Sequence, residues 1–397
     1  MNSRVWPEVP LGEVLAERQE RPTDEDLLTG RVRIISKIGF NDGVLQFRSD
    51  GQTKTGMILI RPGDLVVSGI NAAKGAIAVY GDENAGPAAA TIHYGAYTPK
   101  RDRVDTTFLW WLLRSRTFRE LLREYVPGGI KTELKAKRLL PVPIPLPLVP
   151  EQRRIVARID ELAGKVAEAR GFCRGAIDEA EALVAGAIAR SLADVPVTGR
   201  LSDVLLSDPR NGWSVRCDND EAGTPVLTLS AVTGFRYRET EFKRTIAPTS
   251  PDAHYWLHDG DLLITRSNTP DLVGHAAIYS GKPAPCIYPD LVMKLVVDET
   301  AADKHFVHWW LRGTTARDYI RVNAKGTSPT MKKVSQGIVK AIPFPSGLGL
   351  AKERSVVERL DALQAKVDEL KRLQAETQAE LDALMPSILD RAFKGEL

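Results

Sequence analysis

Cysteine is scarce in this chain. Among 397 residues there are three, Cys173, Cys217 and Cys286, and no metal-ligand or disulfide spacing relates them. A disulfide-stapled scaffold is not expected, and a reducing cytoplasm is the expected compartment. The six histidines form no ligand motif. Long apolar runs are also lacking. The longest is broken by prolines, and no signal peptide opens the chain, so neither a membrane span nor a membrane partner is expected. Net charge is nearly missing as well: 54 Lys and Arg against 51 Asp and Glu leave +3. No global basic field advertises a nucleic-acid partner.

Catalytic signatures are absent too. There is no Asn/Asp-Pro-Pro-aromatic tetrapeptide of the methyltransferase type. Gly128-Gly129-Ile130-Lys131-Thr132 breaks the Gly-Lys-Ser/Thr order that a phosphate loop requires. Pro289-Asp290 lies far from Glu369-Leu370-Lys371, so no nuclease-like cluster forms at short range. No serine or cysteine nucleophile has a neighbouring motif. The chain reads as a binder and not as a catalyst, with no cofactor of its own.

What is present begins with two apolar seams. Alternating steps of four and three from Ile155 land on Ile159, Leu162, Val166, Ala169, Cys173, Ala176, Ala180, Leu183 and Ala187. The C-terminus repeats the pattern through Val356, Leu360, Leu363, Val367, Leu370, Gln374, Thr377, Leu381, Leu384 and Ile388. Each is a heptad seam on one long helix. Gly164, Gly171, Gly175 and Gly186 in the first cost about 1 kcal/mol each relative to Ala, so the helix should fray alone and hold when paired. An antiparallel register with Ile155 opposite Ile388 sets Ala176 against Val367, Ala180 against Leu363, Ala187 against Val356, and Ala169 against Gln374 as a polar layer.

The whole chain is duplicated. Gly63-Asp64-Leu65 matches Gly260-Asp261-Leu262, and Gly75–Tyr80 matches His275–Tyr279. Phe108-Leu109-Trp110-Trp111 is matched to Val307-His308-Trp309-Trp310, and Ile144-Pro145 to Ile342-Pro343. Glu151–Val156 matches Lys352–Val357, with Ile159-Asp160 against Leu360-Asp361. The offset drifts from 197 to 201, as loop changes would make it. The expected fold is mixed α/β: two globular domains, 1–149 and 194–349, separated by two long antiparallel helices, 150–193 and 350–397. Each Gly-Asp-Leu stretch reads as one of a strand pair. Residues 107–125 and 304–322 each read as a helix whose tryptophans belong to the core. Alternate prolines in Leu139–Pro150 predict an extended, polyproline-like strap with no donors to share. Pro386 should kink the second helix or end its regular part, and Lys394-Gly395 should cap it.

Charge is local. Lys100–Arg138 carries eleven Lys and Arg against five Asp and Glu, and Arg312–Lys340 carries seven against one. Both segments lie upstream of a long helix. Such patches let a nearly neutral protein hold phosphates, although solvated helix faces read the same way.

The strap with Glu151-Gln152-Arg153-Arg154-Ile155, the duplication and the ending Ser387–Leu397 (SILDRAFKGEL) together resemble the specificity subunit of Type I restriction–modification systems. The resemblance covers the full chain. It departs at the second strap, SGLGLAKERS, which lacks the later proline and the Gln. The resemblance implies two target-recognition domains that each read half of a split, asymmetric site in double-stranded DNA. It implies docking of two modification (methyltransferase) subunits and of restriction subunits, with S-adenosylmethionine and ATP bound by those partners. A helix from Glu151 to Ile188 would be about 57 Å long, enough to separate two heads that read segments about 34 Å apart.

Two places recur in both halves as candidate DNA contacts. The first follows the Gly-Asp-Leu strand: Ser68, Asn71 and Lys74, and Arg266, Ser267 and Asn268. Arg suits guanine and Asn suits adenine, although Ser and Asn are also ordinary turn formers. The second is the glycine turn before the strap: Gly128, Gly129, Lys131, Thr132 and Lys135, and Lys325, Gly326, Thr327, Ser328, Thr330, Lys332 and Lys333. Small residues allow close backbone approach, and Lys with Thr suits phosphates. Two other functions fit part of the pattern: a coiled-coil adaptor that reads no DNA, and a methyltransferase with fused recognition domains.

Overall fold

The computed structural model describes residues 6–48, 55–81, 83–84, 86–126, 133–218, 220–326 and 330–397. The chain forms two compact units: Met1–Arg174 with Gln374–Leu397, and Gly175–Leu373. Each holds a mixed α/β head and one half of each long helix.

The first head is built on the strand Asp64–Ser68. It lies inside an antiparallel sheet ordered Leu15–Glu17, Tyr94–Pro99, Asp64–Ser68, Ile77–Tyr80. All five of its residues are buried because both faces are covered. Leu65 and Val67 face the helices Thr106–Arg114 and Arg116–Tyr125. Val66 faces a second sheet ordered Leu45–Arg48, Arg33–Ile38, Ala88–Thr91, Met57–Ile60. Side chains alternate along a strand, so a run of apolar residues is what two covered faces demand. The second head repeats the plan. Leu262–Thr265 lies between Val292–Leu295 and Ala276–Ile278. Leu262 and Ile264 face the helices Lys304–Arg312 and Thr314–Asn323, and Leu263 faces Tyr279 and Tyr288.

The Gly-Asp pair recurs for a local reason. Gly63 and Gly260 sit at φ of 90° and 83°, where a side chain would be strained. The following aspartate closes the turn: Asp64 accepts the Arg61 N–H at 2.8 Å and Asp261 the His258 N–H at 2.9 Å. Each carboxylate also binds a cation, Arg18 at 2.6 Å and Lys294 at 3.1 Å.

Each Trp-bearing segment is two helices, not one. The break falls at Ser115, whose hydroxyl donates to Leu112 O and accepts from Phe118 N, and at Gly313; both have extended backbone. Asp105 and Asp303 cap the first helix of each pair. These caps correct the repeat alignment by one residue: Trp111 corresponds to Trp309 and Trp110 to His308. Trp111 Nε1 donates to Asp160 at 3.0 Å and Trp309 Nε1 to Asp361 at 2.8 Å, aspartates about three turns into each long helix.

The long helices are Val149–Leu192 and Leu350–Phe393. Their first turns are tied to the heads by equivalent buried residues. Gln152 accepts the Asp105 N–H at 2.7 Å and donates to Pro147 O and Arg103 O. Glu353 accepts the Asp303 N–H at 2.6 Å, but among the described residues its other oxygen is buried without a partner. Burial, with Asp303 alongside, pushes the Glu353 carboxyl above the usual range.

The strap is extended, but it pairs. Pro143–Pro145 forms an antiparallel ribbon with Glu8–Pro10, and Pro343–Phe344 with Gly199–Arg200. The residues between the prolines keep their donors: Leu146 N–H reaches Pro7 O at 3.0 Å. The second helix continues through Pro386 to Phe393. It ends at Gly395, φ 74°, with Glu396 N–H donating to Arg391 O and Gly395 N–H to Ala392 O, a Schellman cap.

The heptad reading fails in the later turns of both helices. Leu183 is 59% and Leu384 44% exposed, Thr377 is exposed, and Cys173 is half-buried. Val184, Ile188 and Leu192 are buried instead, as is Leu389. A straight helix drifts about 20° per heptad, so its inner face moves on to steps of four. The helices run antiparallel within each unit, in a register different from the expected one. In the first unit Arg154 donates to Leu397 O and Arg170 pairs with Asp382 at 2.6 Å. In the second, Lys371 pairs with Glu181 at 2.6 Å and Arg359 reaches Ser191. The expected register would have put Arg170 across from Leu373 and Glu181 across from Ala362, so the offset is nine residues, about two and a half helical turns.

A short thiol crosslinker should therefore join Val184→Cys to Val367→Cys and not Ala180→Cys to Leu363→Cys. The reverse result on a gel would reject this register. Glu353→Gln should stabilise the chain. With its folded pKa raised, Glu353 costs stability once pH climbs past the unfolded carboxyl value of about 4.5. The gap in Tm between variant and parent should thus be smallest at or below about pH 4.5 and widen as pH rises above it. A gap independent of pH would show that Glu353 does not titrate there.

Candidate nucleic-acid interface

The two candidate segments, distant in sequence, meet in each unit. In the second unit Ser267–Asn268 pairs antiparallel with Lys332–Lys333, Ser267 opposite Lys333 and Asn268 opposite Lys332. Val334 N–H donates to Arg266 O at 2.9 Å, and Lys325 bridges to Lys333. In the first unit Leu134 N–H donates to Gly69 O at 2.8 Å, the equivalent bond. A turn leaving the central strand is thus stitched to the segment that enters the short helix before the strap, Ala136–Leu139 or Gln336–Lys340. The strand's burial fixes one side of this edge, and the helix fixes the other.

The individual residues separate by exposure. Ser68 and Ser267 are 4% and 1% exposed, so neither faces solvent, and among the described residues the Ser267 hydroxyl is buried without a partner. The Ser68 hydroxyl accepts the Asn71 N–H at 3.3 Å. The Asn71 carbonyl accepts from Lys74 and Ala76, closing a turn over Ala72–Lys74. Lys74 is exposed, its Nζ 5.8 Å from the centre of the Phe40 ring. Asn268 is committed within the protein: Nδ2 donates to Thr233 Oγ1 at 3.2 Å and Oδ1 accepts from Thr269 N. Arg266 is half-buried, with Nη1 3.5 Å from Asp290 O, a loose tether that among the described residues leaves most of the guanidinium's donors uncommitted.

Of the lysines, Lys325 and Lys333 are exposed. Lys332 Nζ donates to Gly326 O at 2.8 Å and ties the loop closed. Gly326 is at φ 153°, and a Cβ there would lie 2.6 Å from Met331 O. Lys135 is exposed but sits 3.5 Å from Glu133. A bond from His93 at 3.0 Å, with Lys135 nearby, holds the Glu133 carboxyl below its usual range. Thr330 is exposed. Gly128, Gly129, Lys131, Thr132, Thr327 and Ser328 lie outside the described residues.

No group of three or more His, Cys, Asp or Glu among the described residues is arranged to hold a metal ion. His275 and His308 are both pulled down to about 4, by burial first and then by Arg317 and Arg312. They are neutral and engaged with backbone: Gly234 N–H donates to His275 Nδ1, and His308 Nε2 lies 3.2 Å from Ala276 O. No helix among the described residues is long and apolar enough to cross a membrane.

No family model matches the chain. A chain of a type I R-M system, solved for its complex assembly and conformational transition, superposes with a TM-score of 0.72 at 24% identity over 99% of both chains. The HsdS subunit from Thermoanaerobacter tengcongensis superposes with a TM-score of 0.53 at 24% identity, covering 99% of this chain and 98% of that one. In sequence, 199 residues are 28% identical to the type I restriction enzyme EcoEI specificity subunit of Escherichia coli, and 307 residues are 22% identical to the EcoKI specificity subunit of strain K12. The chain is similar in sequence to type I specificity subunits and shares the fold of these solved structures. Its matched part covers 47% of this chain and 32% of the EcoEI subunit, and 73% and 65% for EcoKI.

The type I fold accounts for the doubled head-and-helix plan. Sequence reasoning found the stitched edge in both heads from its residue types, without seeing that its two segments touch. It did not single out Phe40 and Lys37, which lie in a hairpin of the first head that has no matched motif in the second. An aromatic between glycines after a strand was the available signal.

Proposed function

We propose that this chain is the DNA-reading specificity subunit of a type I restriction–modification complex, without catalysis of its own. Each head reads one half of a bipartite, asymmetric site in double-stranded DNA, and the paired helices set the gap between the halves. Two modification subunits and the restriction subunits dock on it in the cytoplasm. S-adenosylmethionine and ATP are bound by those partners and not by this chain.

The observation that supports this reading best is the stitched edge, present in both heads. In the second head it sets Arg266 beside Lys325, Lys332 and Lys333 on one ribbon. A guanidinium with free donors can read a base edge while neighbouring ammonium groups hold phosphates, which is how DNA contacts divide into specifying and positioning ones. Asn71, Lys74 and Lys135 would serve the first head, and Thr330 the second. An adaptor without DNA reading would have no use for such an edge in both heads, and a fused methyltransferase would need the catalytic tetrapeptide that the sequence lacks.

Selection from random duplexes, with and without the modification subunits, tests the function. A two-part site with an unread gap is expected; no selected sequence in either arm would reject it. Within the second half-site, Arg266→Ala should relax one base position at a cost of about 1–3 kcal/mol. Lys333→Ala should weaken all sequences alike and lower the salt slope by roughly 0.9. Identical behaviour of the two variants would undo this division of labour.

A further inference from the structure

The first head carries an exposed aromatic that the stitched edge does not explain. Strands Arg33–Ile38 and Leu45–Arg48 form a hairpin, and Phe40 stands at its tip with 40% of its surface exposed. The tip is rigid. Gly39 N–H donates to Val44 O at 2.9 Å, Gly43 N–H to Gly39 O at 3.1 Å, and Val44 N–H to the Asp42 carboxylate at 3.0 Å. From below, Arg114 Nη2 donates to Phe40 O at 3.2 Å. Gly75, at φ 90°, lets that carbonyl approach so closely that a Cβ there would lie 2.6 Å from it. A large, partly exposed apolar ring is thus positioned by polar bonds to its backbone.

Its surroundings are cationic. Lys37 Nζ lies 5.9 Å and Lys74 Nζ 5.8 Å from the ring centre. The strand pairing skips a residue between Ile35 and Lys37, a bulge of the kind that re-aims the side chain after it. Arg114, pulled down to about 10 by burial, keeps its charge at neutral pH beneath the tip. Asp42 is the acidic group on the tip, and it is engaged with Val44 N–H. Lys74 belongs to the turn that follows the central strand, so this patch is continuous with the edge described above.

We infer that Phe40 with Lys37 and Lys74 is a DNA contact of the first head, the ring lying against base edges in a groove while the two ammonium groups hold phosphates beside it. The inference rests on the DNA-reading function. The chemistry is complementary: apolar side chains meet the thymine methyl, and lysines supply the salt-dependent share of affinity. A purely apolar partner surface would gain nothing from two lysines directed at the ring.

The test uses the full chain with its modification subunits, random-duplex selection and binding measured across salt concentration. Phe40→Ala should flatten the preference at one base position of the first half-site and leave the salt slope in place. Lys37→Ala with Lys74→Ala should lower the slope by about two and keep that preference, at about 0.9 per phosphate contact. An unchanged base preference in the first variant, or an unchanged slope in the second, overturns the inference. So does normal selection by Phe40→Ala combined with loss of the modification subunits on co-purification, which would assign the patch to a protein. If the parent chain selects no site at all, the DNA-reading function itself fails, a result distinct from these.

Discussion

One buried side chain in each unit does the joining on which the rest depends. Gln152 and Glu353, in the first turn of their helices, accept the backbone N–H of the aspartate that caps the Trp-bearing helix. A second bond, from Trp111 to Asp160 or Trp309 to Asp361, holds the same two elements about two turns further on. Two bonds along one axis fix orientation as well as contact. The head helices pack against the central strand, and the central strand ends at the candidate edge. A change in how a long helix starts would therefore be felt where the edge residues stand.

The two versions of this joint are not equivalent. A carboxamide offers a donor and an acceptor side, and Gln152 uses both, with two carbonyls accepting from its nitrogen. A carboxylate offers acceptors only, and Glu353 has one oxygen without a donor among the described residues. Leaving a buried polar atom unmade costs more than a surface bond returns. Protonation is the way such a group can regain a donor, which is why its carboxyl is pushed upward. The second head carries its tie to its long helix at a cost that the first does not.

Much of this plan was legible in the residues. The duplication, the Gly-Asp turn, the core position of Trp309 and Trp310 and the two long helices follow from patterns that local physics enforces, whereas Trp110 and Trp111 are only half-buried against their core. Three things did not. The one-residue slip at Trp110-Trp111 and Trp309-Trp310 arose because a run of bulky letters looks alike in two frames, and only the Asp caps distinguish them. The helix register was wrong because heptad counting treats a straight helix as supercoiled, and because Leu183 and Leu384 are apolar but outward. The strap's pairing was hidden because its partners, Glu8–Pro10 and Gly199–Arg200, are too short to announce themselves. At the candidate edge, residue type picked two segments that the fold brings together, and exposure then removed Ser68 and Ser267 from the candidates.

The first unit is assembled from both ends of the chain. Phe393 packs edge-on against Phe108 at 5.5 Å, and Leu389 and Ala392 fill the same core. The second unit, Gly175–Leu373, is a single uninterrupted stretch. During synthesis on a ribosome, the part begun first is thus completed last. Its core stays open until Phe393 has emerged, twenty residues after Leu373 completes the other unit.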